Sequence, residues 1–236
     1  MSDASVTDIR RPRGKLRGET ITLSHGAGGK AMHDLIEDLF VSGFDNRELD
    51  LLEDQARFDL ASVTARGDRL ALTTDSYVVD PLFFPGGDIG KLAVTGTVND
   101  LAVGGAIPLW LTCGMIIEEG LAMADLKRVV ADMGRAARLA GVTVVTGDTK
   151  VVPKGAADRI FINTAGIGVV PEGIQVSGRN AGIGDQVLAR LAAQPSQTVS
   201  DARNRHAAAA DDLREARRPG VSGARMGCDN RCDRRC

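Results

Sequence analysis

Three aspartates stand where a buried carboxylate could bind a cation. Asp75 and Asp148 each come directly after a short apolar run, in LALTTD and TVVTGD, and Asp100 follows Asn99 among small and apolar residues. Burying a lone carboxylate costs free energy unless a cation compensates it. Carboxylate oxygens are ligands that Mg²⁺ prefers, usually together with substrate phosphates. The pattern therefore predicts a metal and phosphate site.

Three lysines are candidate phosphate partners. Lys30 ends the Gly-rich stretch SHGAGGK, which leads into a helical pattern, and such a loop points free N–H groups at an anion. The other two candidates are Lys91 and Lys150. SHGAGGK is not a Walker A loop, because the G-x4-G-K-[ST] spacing is absent. A mobile glycine loop with a solvated lysine is the alternative interpretation.

The aspartates also have a purely structural interpretation. Asp75 and Asp148 could cap turns, and Asp88 could cap a helix, because aspartate serves readily in both places. The matching strand ends and the Asn-Asp pair are what favour a functional site. Residue chemistry alone supports a metal and phosphate site in an α/β protein and nothing more specific.

Alternating strands and helices position these residues, which predicts an α/β fold. Asp75 and Asp148 end two of the strands, and α/β folds bind ligands at the carboxyl ends of strands. Asp88 is a good N-cap for a helix running to about Val103. Because neither face of that helix is plainly polar, we expect it to be buried together with its Asn-Asp pair. The other predicted elements are strands at 70–74, 107–117, 142–146 and 160–170, helices at 31–40 and from 124 to a stop at Gly141, and a loop at 81–87.

The composition excludes few functions, but it is ordinary for a globular protein. The chain has 236 residues, 43% of them hydrophobic, and a formal net charge of -2, which gives no global reason to expect nucleic-acid or membrane partners. The first twenty residues are polar and basic, and there is no apolar run of about 18 residues, so we expect a cytoplasmic protein. Cys113 stands alone while the other three cysteines crowd the C-terminus, which is not a disulfide framework.

The motifs in their order resemble a known family. The stretch TTDSYVVDPLFFPGGDIGKLAVTGTVNDLAVGGAIP, with SHGAGGK before it and VVTGDTKVV and FINTAG after it, resembles the HypE family of hydrogenase maturation proteins. This family belongs to the PurM-like (aminoimidazole ribonucleotide synthetase-like) ATP-binding superfamily. The resemblance runs from about Ile21 to Leu188. PLFFPGGDIGKLAV and GDTKVV look like HypE rather than selenophosphate synthetase or thiamine-monophosphate kinase.

The resemblance implies a fold and a domain plan. It implies an α/β (α+β) PurM-like domain with a mixed sheet and packed helices at 41–172, which binds ATP and forms a homodimer. Before it come a flexible arm at 1–20 and a Gly-rich phosphate loop and helix at 21–40. The start of a C-terminal domain would follow at 173–188, and a divergent Arg- and Ala-rich tail at 189–236.

The resemblance also implies an activity. In HypE-like proteins a C-terminal cysteine receives a carbamoyl group, and its ATP-dependent dehydration yields a thiocyanate. The cyanide goes to the iron of [NiFe] hydrogenase, with the carbamoyltransferase HypF upstream and the HypC–HypD complex downstream. ATP and Mg²⁺ would bind in grooves at the dimer interface. Another PurM-like ATP-dependent synthetase or kinase is an alternative, as is a catalytically inactive fragment that keeps dimerisation and partner binding.

The site residues follow from the matched positions. The metal carboxylates would be Asp54, Asp75, Asp100 and Asp148. The nucleotide groove would be formed by Lys30, Lys91, Thr97, Asn99, Asp148 and Lys150.

Beyond Leu188 the resemblance stops. Family members continue through a second α/β domain, whereas residues 187–236 here carry ten arginines and no aromatic residue, a composition that cannot build a comparable core. We expect the tail to be an out-of-frame or otherwise altered terminus, which reading the other two frames of the coding DNA tests. Cys236 is the candidate carbamoyl acceptor, because the chain ends Arg-Arg-Cys where HypE proteins end in a Pro-Arg-x-Cys-like sequence. The C-x3-C-x3-C series that Cys236 closes has chance or adventitious metal binding as its alternatives.

Overall fold

A computed structural model describes Leu16 and residues 18–185. The expectations for most of the N-terminal arm, for the tail and for Cys236 lie outside these described residues.

The described chain alternates between strands and helices. The strands are β1 (Arg69–Tyr77), β2 (Phe83–Phe84), β3 (Gly87–Asp88), β4 (Ile107–Glu118), β5 (Thr143–Val152) and β6 (Ile160–Val170). The α-helices are α1 (Lys30–Leu35), α2 (Ser42–Phe44), α3 (Arg47–Asp50), α4 (Leu60–Thr64), α5 (Ile89–Val103) and α6 (Met123–Ala140). A π-helical segment, Ile36–Val41, joins α1 to α2, and 3₁₀ turns occur at Leu23–Gly26 and Gly178–Asn180.

Four strands form one mixed sheet in the order β1-β6-β4-β5. The β1–β6 and β4–β6 pairs are antiparallel, whereas β4 and β5 are parallel and are connected through α6. β2 and β3 form a separate two-stranded ladder, so the expectation of a loop throughout 81–87 was wrong. The predicted α/β fold with a mixed sheet and packed helices is therefore confirmed.

The core lies between this sheet and the two long helices. Alternate residues of β4 from Leu111 to Ile117 are buried, as period-2 alternation requires. α6 buries a stripe that includes Leu126, Val129 and Met133. Helix α5 lies against both α6 and β6. It approaches β6 closely because Gly166 has no side chain, and a Cβ there would lie 2.8 Å from the Thr97 methyl carbon.

Several predicted element ends are confirmed. Asp88 is the N-cap of α5, because its carboxylate accepts from the backbone N–H of Lys91 at 2.7 Å. α6 ends at Gly141, which takes the left-handed conformation with φ 71°. The predicted strand at 160–170 has the bounds of β6. These ends are fixed by local chemistry, so the local sequence was sufficient to find them.

The expected positions of two aspartates were wrong. Asp75 and Asp148 lie inside β1 and β5 rather than beyond their carboxyl ends. Strand pairing continues past both, since Asp75 pairs with Thr164 and Asp148 with Gly114. Nor is β1 a buried strand, because it forms an edge of the sheet and much of one of its faces is exposed.

The expected burial of the Asn-Asp pair was also wrong. Asn99 and Asp100 are both exposed, although the centre of α5 is buried. Apolar residues occur on the exposed side of α5 as well, among them Val103, which is 73% exposed. The apolar pattern therefore overstated how much of the helix is covered.

The N-terminal helix is longer than expected. The predicted helix at 31–40 corresponds to α1, the π-helical segment and α2, which follow one another from Lys30 to Phe44. Within the described part of the chain, no helix is both long and apolar enough to cross a membrane.

Candidate functional site

A cavity of about 620 Å³ opens beside the parallel β4–β5 pair. The helical segment from α1 to α2 forms one wall, residues 49–54 form another, and the strands form the third. Its apolar lining includes Ile36, Phe40, Phe44, Leu49, Met115 and Val144. Cavities of this size with mostly apolar walls and a few polar groups are typical of small-molecule sites.

Two of the predicted metal carboxylates, Asp54 and Asp148, line this cavity and are here called the cavity pair. Both side chains are exposed. Lys150 donates from Nζ to Asp148 Oδ1 at 2.8 Å, and the backbone N–H of Thr149 donates to the same oxygen at 2.9 Å. The lysine hydrogen bond is the main reason that the pKa of Asp148 is lowered. Asp148 is therefore a carboxylate at neutral pH.

The other two predicted metal carboxylates, Asp75 and Asp100, lie where β1 meets α5, and are here called the strand–helix pair. Thr73 Oγ1 donates to Asp100 Oδ2 at 3.4 Å. Asp75 follows Thr73 by two residues on the same face of β1, a spacing of about 7 Å along a strand. Neither member of this pair lines the cavity. Among residues 16 and 18–185, no three His, Cys, Asp or Glu side chains are grouped closely enough to hold a metal ion.

Thr97 lies in the interior rather than on a groove. Its side chain is fully buried, and its Oγ1 lies 3.0 Å from the Tyr77 hydroxyl and 2.6 Å from Thr164 Oγ1. Thr164 in turn donates to the backbone carbonyl of Ala93 at 2.9 Å. Burial and the nearby Asp75 carboxylate raise the pKa of Tyr77, while the Thr97 hydroxyl lowers it.

Sequence reasoning did not single out Tyr77 or Thr164. A signal for Tyr77 exists only once the strand predicted at 70–74 is extended past Asp75, because alternation then places Asp75 and Tyr77 on one face. No comparable signal marked Thr164, whose role depends on the pairing of β6 with β1.

Each of the three predicted phosphate lysines already contacts an oxygen acceptor. Lys30 donates to both carboxylate oxygens of Asp34 at 2.7 Å, Lys91 donates to the Gly86 carbonyl at 2.8 Å, and Lys150 holds Asp148. The Lys30–Asp34 pair is an i,i+4 contact with an exposed lysine, so it contributes at most about 1 kcal/mol. A phosphate could displace such a weak partner.

The SHGAGGK loop is docked at its start and open at its tip. His25 is buried, and its Nδ1 accepts from the backbone N–H of Thr22 at 3.1 Å. Gly26 packs against β5, where a Cβ would lie 2.7 Å from the Val151 nitrogen. Gly28 has φ 77° and open space around it. The exposed glycines lead directly into α1, as the anion-loop prediction requires.

Asp88 and Cys113 are buried polar groups with structural roles. Asp88 is 1% exposed, and burial raises its pKa. One of its oxygens caps α5, while the other, Oδ2, is buried without a hydrogen-bond partner. Cys113 forms part of the cavity wall, and burial raises the pKa of its thiol to about 12. Cys113 is therefore a protonated, unreactive thiol at neutral pH.

A family model supplies the identity of the domain. Residues 53–170 match the model for the AIR synthase related protein, N-terminal domain. The chain belongs to this family. The matched residues run from Glu53, beside the cavity, to the end of β6, and they include all four predicted metal carboxylates.

Curated relatives narrow the similarity within that family. The chain is 58% identical over 168 residues to carbamoyl dehydratase HypE of Escherichia coli K12. The aligned residues cover 71% of this chain and 50% of that protein. It is 56% identical over 173 residues to carbamoyl dehydratase HypE of Rhodobacter capsulatus, which covers 73% of this chain and 50% of that protein. The chain thus spans about half the length of the curated relatives it matches.

Solved structures give the same result. A crystal structure of hydrogenase maturation protein HypE in complex with ATP has a TM-score of 0.59 and 61% sequence identity, covering 63% of this chain and 42% of that chain. A structure of Escherichia coli HypE has a TM-score of 0.59 and 62% identity, covering 61% and 44%. The resemblance to HypE stated from the sequence motifs is confirmed.

Proposed function

We propose that this chain carries the nucleotide-binding half of a HypE-like carbamoyl dehydratase. The reaction is the ATP-dependent dehydration of a cysteine S-carboxamide to a thiocyanate during maturation of [NiFe] hydrogenase. The observation that carries the proposal is the 58% identity to a carbamoyl dehydratase HypE over 168 residues. The ATP bound in a HypE crystal structure that is 61% identical to this chain supports the choice of nucleotide.

The cavity is the proposed place for the nucleotide. Its apolar walls suit a purine ring, and its volume of about 620 Å³ is in the range of small-molecule sites. The cavity pair puts carboxylates beside the position of the phosphates. Lys150 is already held at Asp148 and can transfer its hydrogen bond to a phosphate oxygen. Lys30 adds a second positive charge from the Gly-rich loop.

The carboxylates fit Mg²⁺ in a particular way. Mg²⁺ is usually held by one or two carboxylates together with substrate phosphates, rather than by an all-protein cage. Asp54 and Asp148 provide one such set of oxygens, and Asp75 and Asp100 provide another. The ion would neutralise charge on a phosphoryl group as it moves.

The chain's own residues would prepare the amide for dehydration. An amide oxygen is a poor leaving group until it is phosphorylated, which is the chemistry that the nucleotide supplies. The cavity walls limit access of water, and the lysines oppose the negative charge of the phosphates. Cys236 is the proposed carbamoyl acceptor within this chain, and Cys113 is not, because burial keeps its thiol protonated.

The open face of the sheet supports a homodimer. Leu70, Leu72 and Ile116 lie on the face opposite α5 and α6, and they are 54%, 73% and 43% exposed. Leu70 and Leu72 are neighbours on β1, and Ile116 lies further along the same face, six residues beyond the position of Trp110 that is level with Leu72. Exposed apolar groups on a sheet face commonly mark a protein interface. We infer that a second copy of the domain covers this face. The further partners, by resemblance, are HypF and the HypC–HypD complex in the cytoplasm.

A binding experiment tests the nucleotide proposal. Isothermal titration of the whole chain with ATP, with and without Mg²⁺, compares the wild type with Asp148→Asn. We expect about a tenfold or greater loss of Mg²⁺-dependent affinity, because one ligand carboxylate is removed. Asp158→Asn is the matched control, since Asp158 is exposed on the β5–β6 connection and does not line the cavity. Equal affinities in wild type and Asp148→Asn would contradict the role of Asp148.

A second candidate function is a binding role without catalysis, in which the domain dimerises and binds maturation partners. The exposed apolar side chains on the sheet face are the observation that favours it. Mass spectrometry of Cys236 after incubation with ATP and a carbamoylating system separates the two functions. Dehydration of a carbamoylated Cys236 supports the enzyme, whereas a dimer that leaves Cys236 unmodified supports the binding role.

A further inference from the structure

A chain of three hydroxyl groups connects β1, α5 and β6 in the interior. Tyr77, Thr97 and Thr164 are 6%, 0% and 0% exposed, and their hydroxyl oxygens are separated by 3.0 Å and 2.6 Å. The chain ends at the Ala93 carbonyl, which can only accept. The Thr164 hydroxyl therefore donates its one proton to that carbonyl. Thr97 must then donate to Thr164, and Tyr77 must donate to Thr97. All three contacts are satisfied only in this order.

The surrounding packing leaves the hydroxyl chain little freedom. A Cβ at Gly96 would clash with the Tyr77 hydroxyl oxygen, so the ring lies directly against the backbone of α5. A Cβ at Gly166 would lie 2.8 Å from the Thr97 methyl carbon. Two glycines thus let α5 approach the sheet at the point where the hydroxyls meet. Buried polar networks that are fully satisfied make the surrounding structure rigid.

The hydroxyl chain lies next to the strand–helix pair. Thr97 precedes Asp100 by three residues, so the two share a side of α5. Tyr77 follows Asp75 by two residues on the same face of β1. Thr73 makes a further contact between the two elements through its hydrogen bond to Asp100. The buried hydrogen bond between Tyr77 and Thr97 therefore joins β1 to α5 at positions that are two residues from Asp75 and three residues from Asp100.

We propose that Tyr77 and Thr97 are positioning residues, which hold α5 against β1 so that Asp75 and Asp100 can share one phosphate-bound divalent cation. This inference rests on the proposed function, because it requires that nucleotide binding depends on Mg²⁺. It assigns Thr97 an indirect role, since its buried hydroxyl is already engaged on both sides.

Substitutions of Thr97 test the proposal. Thr97→Val keeps the shape but removes the hydroxyl, whereas Thr97→Ser keeps the hydroxyl. The measured quantity is the ratio of the ATP dissociation constants without and with Mg²⁺, from calorimetry on the whole chain. We expect Thr97→Val and Tyr77→Phe to lower that ratio by about tenfold, the low end for residues that orient metal ligands, and Thr97→Ser to restore most of it.

Two comparisons separate positioning from a general loss of stability. Val98→Ala removes buried volume from the same helix without touching a hydroxyl group, so it should lower the melting temperature and leave the ratio unchanged. On an Asp100→Asn background, Tyr77→Phe should cause no further loss, because the carboxylate that it positions is gone.

The outcomes distinguish the two proposals. Any one of three results overturns the positioning role alone. These are an unchanged ratio in Thr97→Val, an equal loss of the ratio in Val98→Ala, and an undiminished effect of Tyr77→Phe on the Asp100→Asn background. A wild-type chain that binds no ATP in the presence of Mg²⁺ overturns the proposed function, and the positioning role with it.

Discussion

At the scale of single residues, burial decides what each carboxylate does. Asp88 and Asp148 have the same side chain, yet burial raises the pKa of Asp88 while Lys150 lowers that of Asp148. One carboxylate oxygen of Asp88 caps the start of α5, and the other is buried without a hydrogen-bond partner. A buried carboxylate without a second partner is disfavoured as an anion.

Asp88→Asn should therefore stabilise the protein at neutral pH. A raised pKa in the folded state means that stability is highest when Asp88 is protonated and falls as pH rises through that pKa. Asparagine is an equally good N-cap, and an unpartnered neutral amide costs less than an unpartnered charge. Melting temperatures between about pH 4 and pH 8 should show the gain of the variant growing with pH.

Asp148→Asn is the control, because its effect on stability should have the opposite sign at neutral pH. The pKa of Asp148 is lowered by Lys150, so its contribution is present above the unfolded pKa and is lost as pH falls. The variant should be slightly less stable than the wild type at neutral pH, and the difference should vanish in acid. If Asp88→Asn gave this same profile, the cost assigned to the buried Asp88 carboxylate would be wrong.

At the scale of elements, close approach depends on particular small residues. Gly96 lies on α5 beneath the Tyr77 ring, and a Cβ there would clash with the Tyr77 hydroxyl oxygen. Gly104, just after the end of α5, has no neighbour closer than 3.5 Å to a Cβ. The two glycines are therefore a matched pair for measuring what the contact between α5 and β1 requires.

Gly96→Ala should destabilise the protein by about 1–3 kcal/mol, the usual range for overpacking a tight contact. The loss should be smaller on a Tyr77→Phe background, since the hydroxyl is the nearest atom to the new methyl group. Urea unfolding of the single and double variants measures this coupling. Gly104→Ala should change stability little, and an equal loss there would mean that Gly96 has no special steric role.

Some element boundaries could be predicted from the local sequence, whereas others depend on residues far away in the chain. The start of α5 at Asp88 and the end of α6 at Gly141 follow from capping preferences that single residues carry. The continuation of β1 through Asp75 depends instead on its pairing with β6, whose sequence is about ninety residues away. Likewise, no local pattern predicts that Asn99 and Asp100 are exposed to solvent on α5.

At the scale of the whole molecule, the candidate site is an arrangement of distant segments. The cavity joins residues between 32 and 54 to residues between 113 and 149, a juxtaposition that only the sheet order creates. The motifs singled out these carboxylates, but they did not predict that Asp54 and Asp148 would line a cavity while Asp75 and Asp100 lie outside it, on β1 and α5.

The same topology leaves much of one sheet face exposed among the described residues, although Val63 and Phe58 cover it at Val169 and Trp110. α5 and α6 both pack on the other face, so Leu72 and Ile116 are exposed where a partner surface would bury them. Leu139 offers a contrast, because it is also exposed, at 57%, but lies on α6. A dimer formed through the sheet must bury the first two side chains and leave the third in water.

Leu72→Asp should therefore weaken the proposed dimer of the whole chain. A charge placed at the centre of an apolar interface costs about 2 kcal/mol or more, which corresponds to a rise of about thirtyfold in the dissociation constant. Light scattering over a range of protein concentrations measures it, with Leu139→Asp as the control that stays dimeric. A wild-type monomer, or equal weakening by both variants, would show that the second copy does not bind at this face.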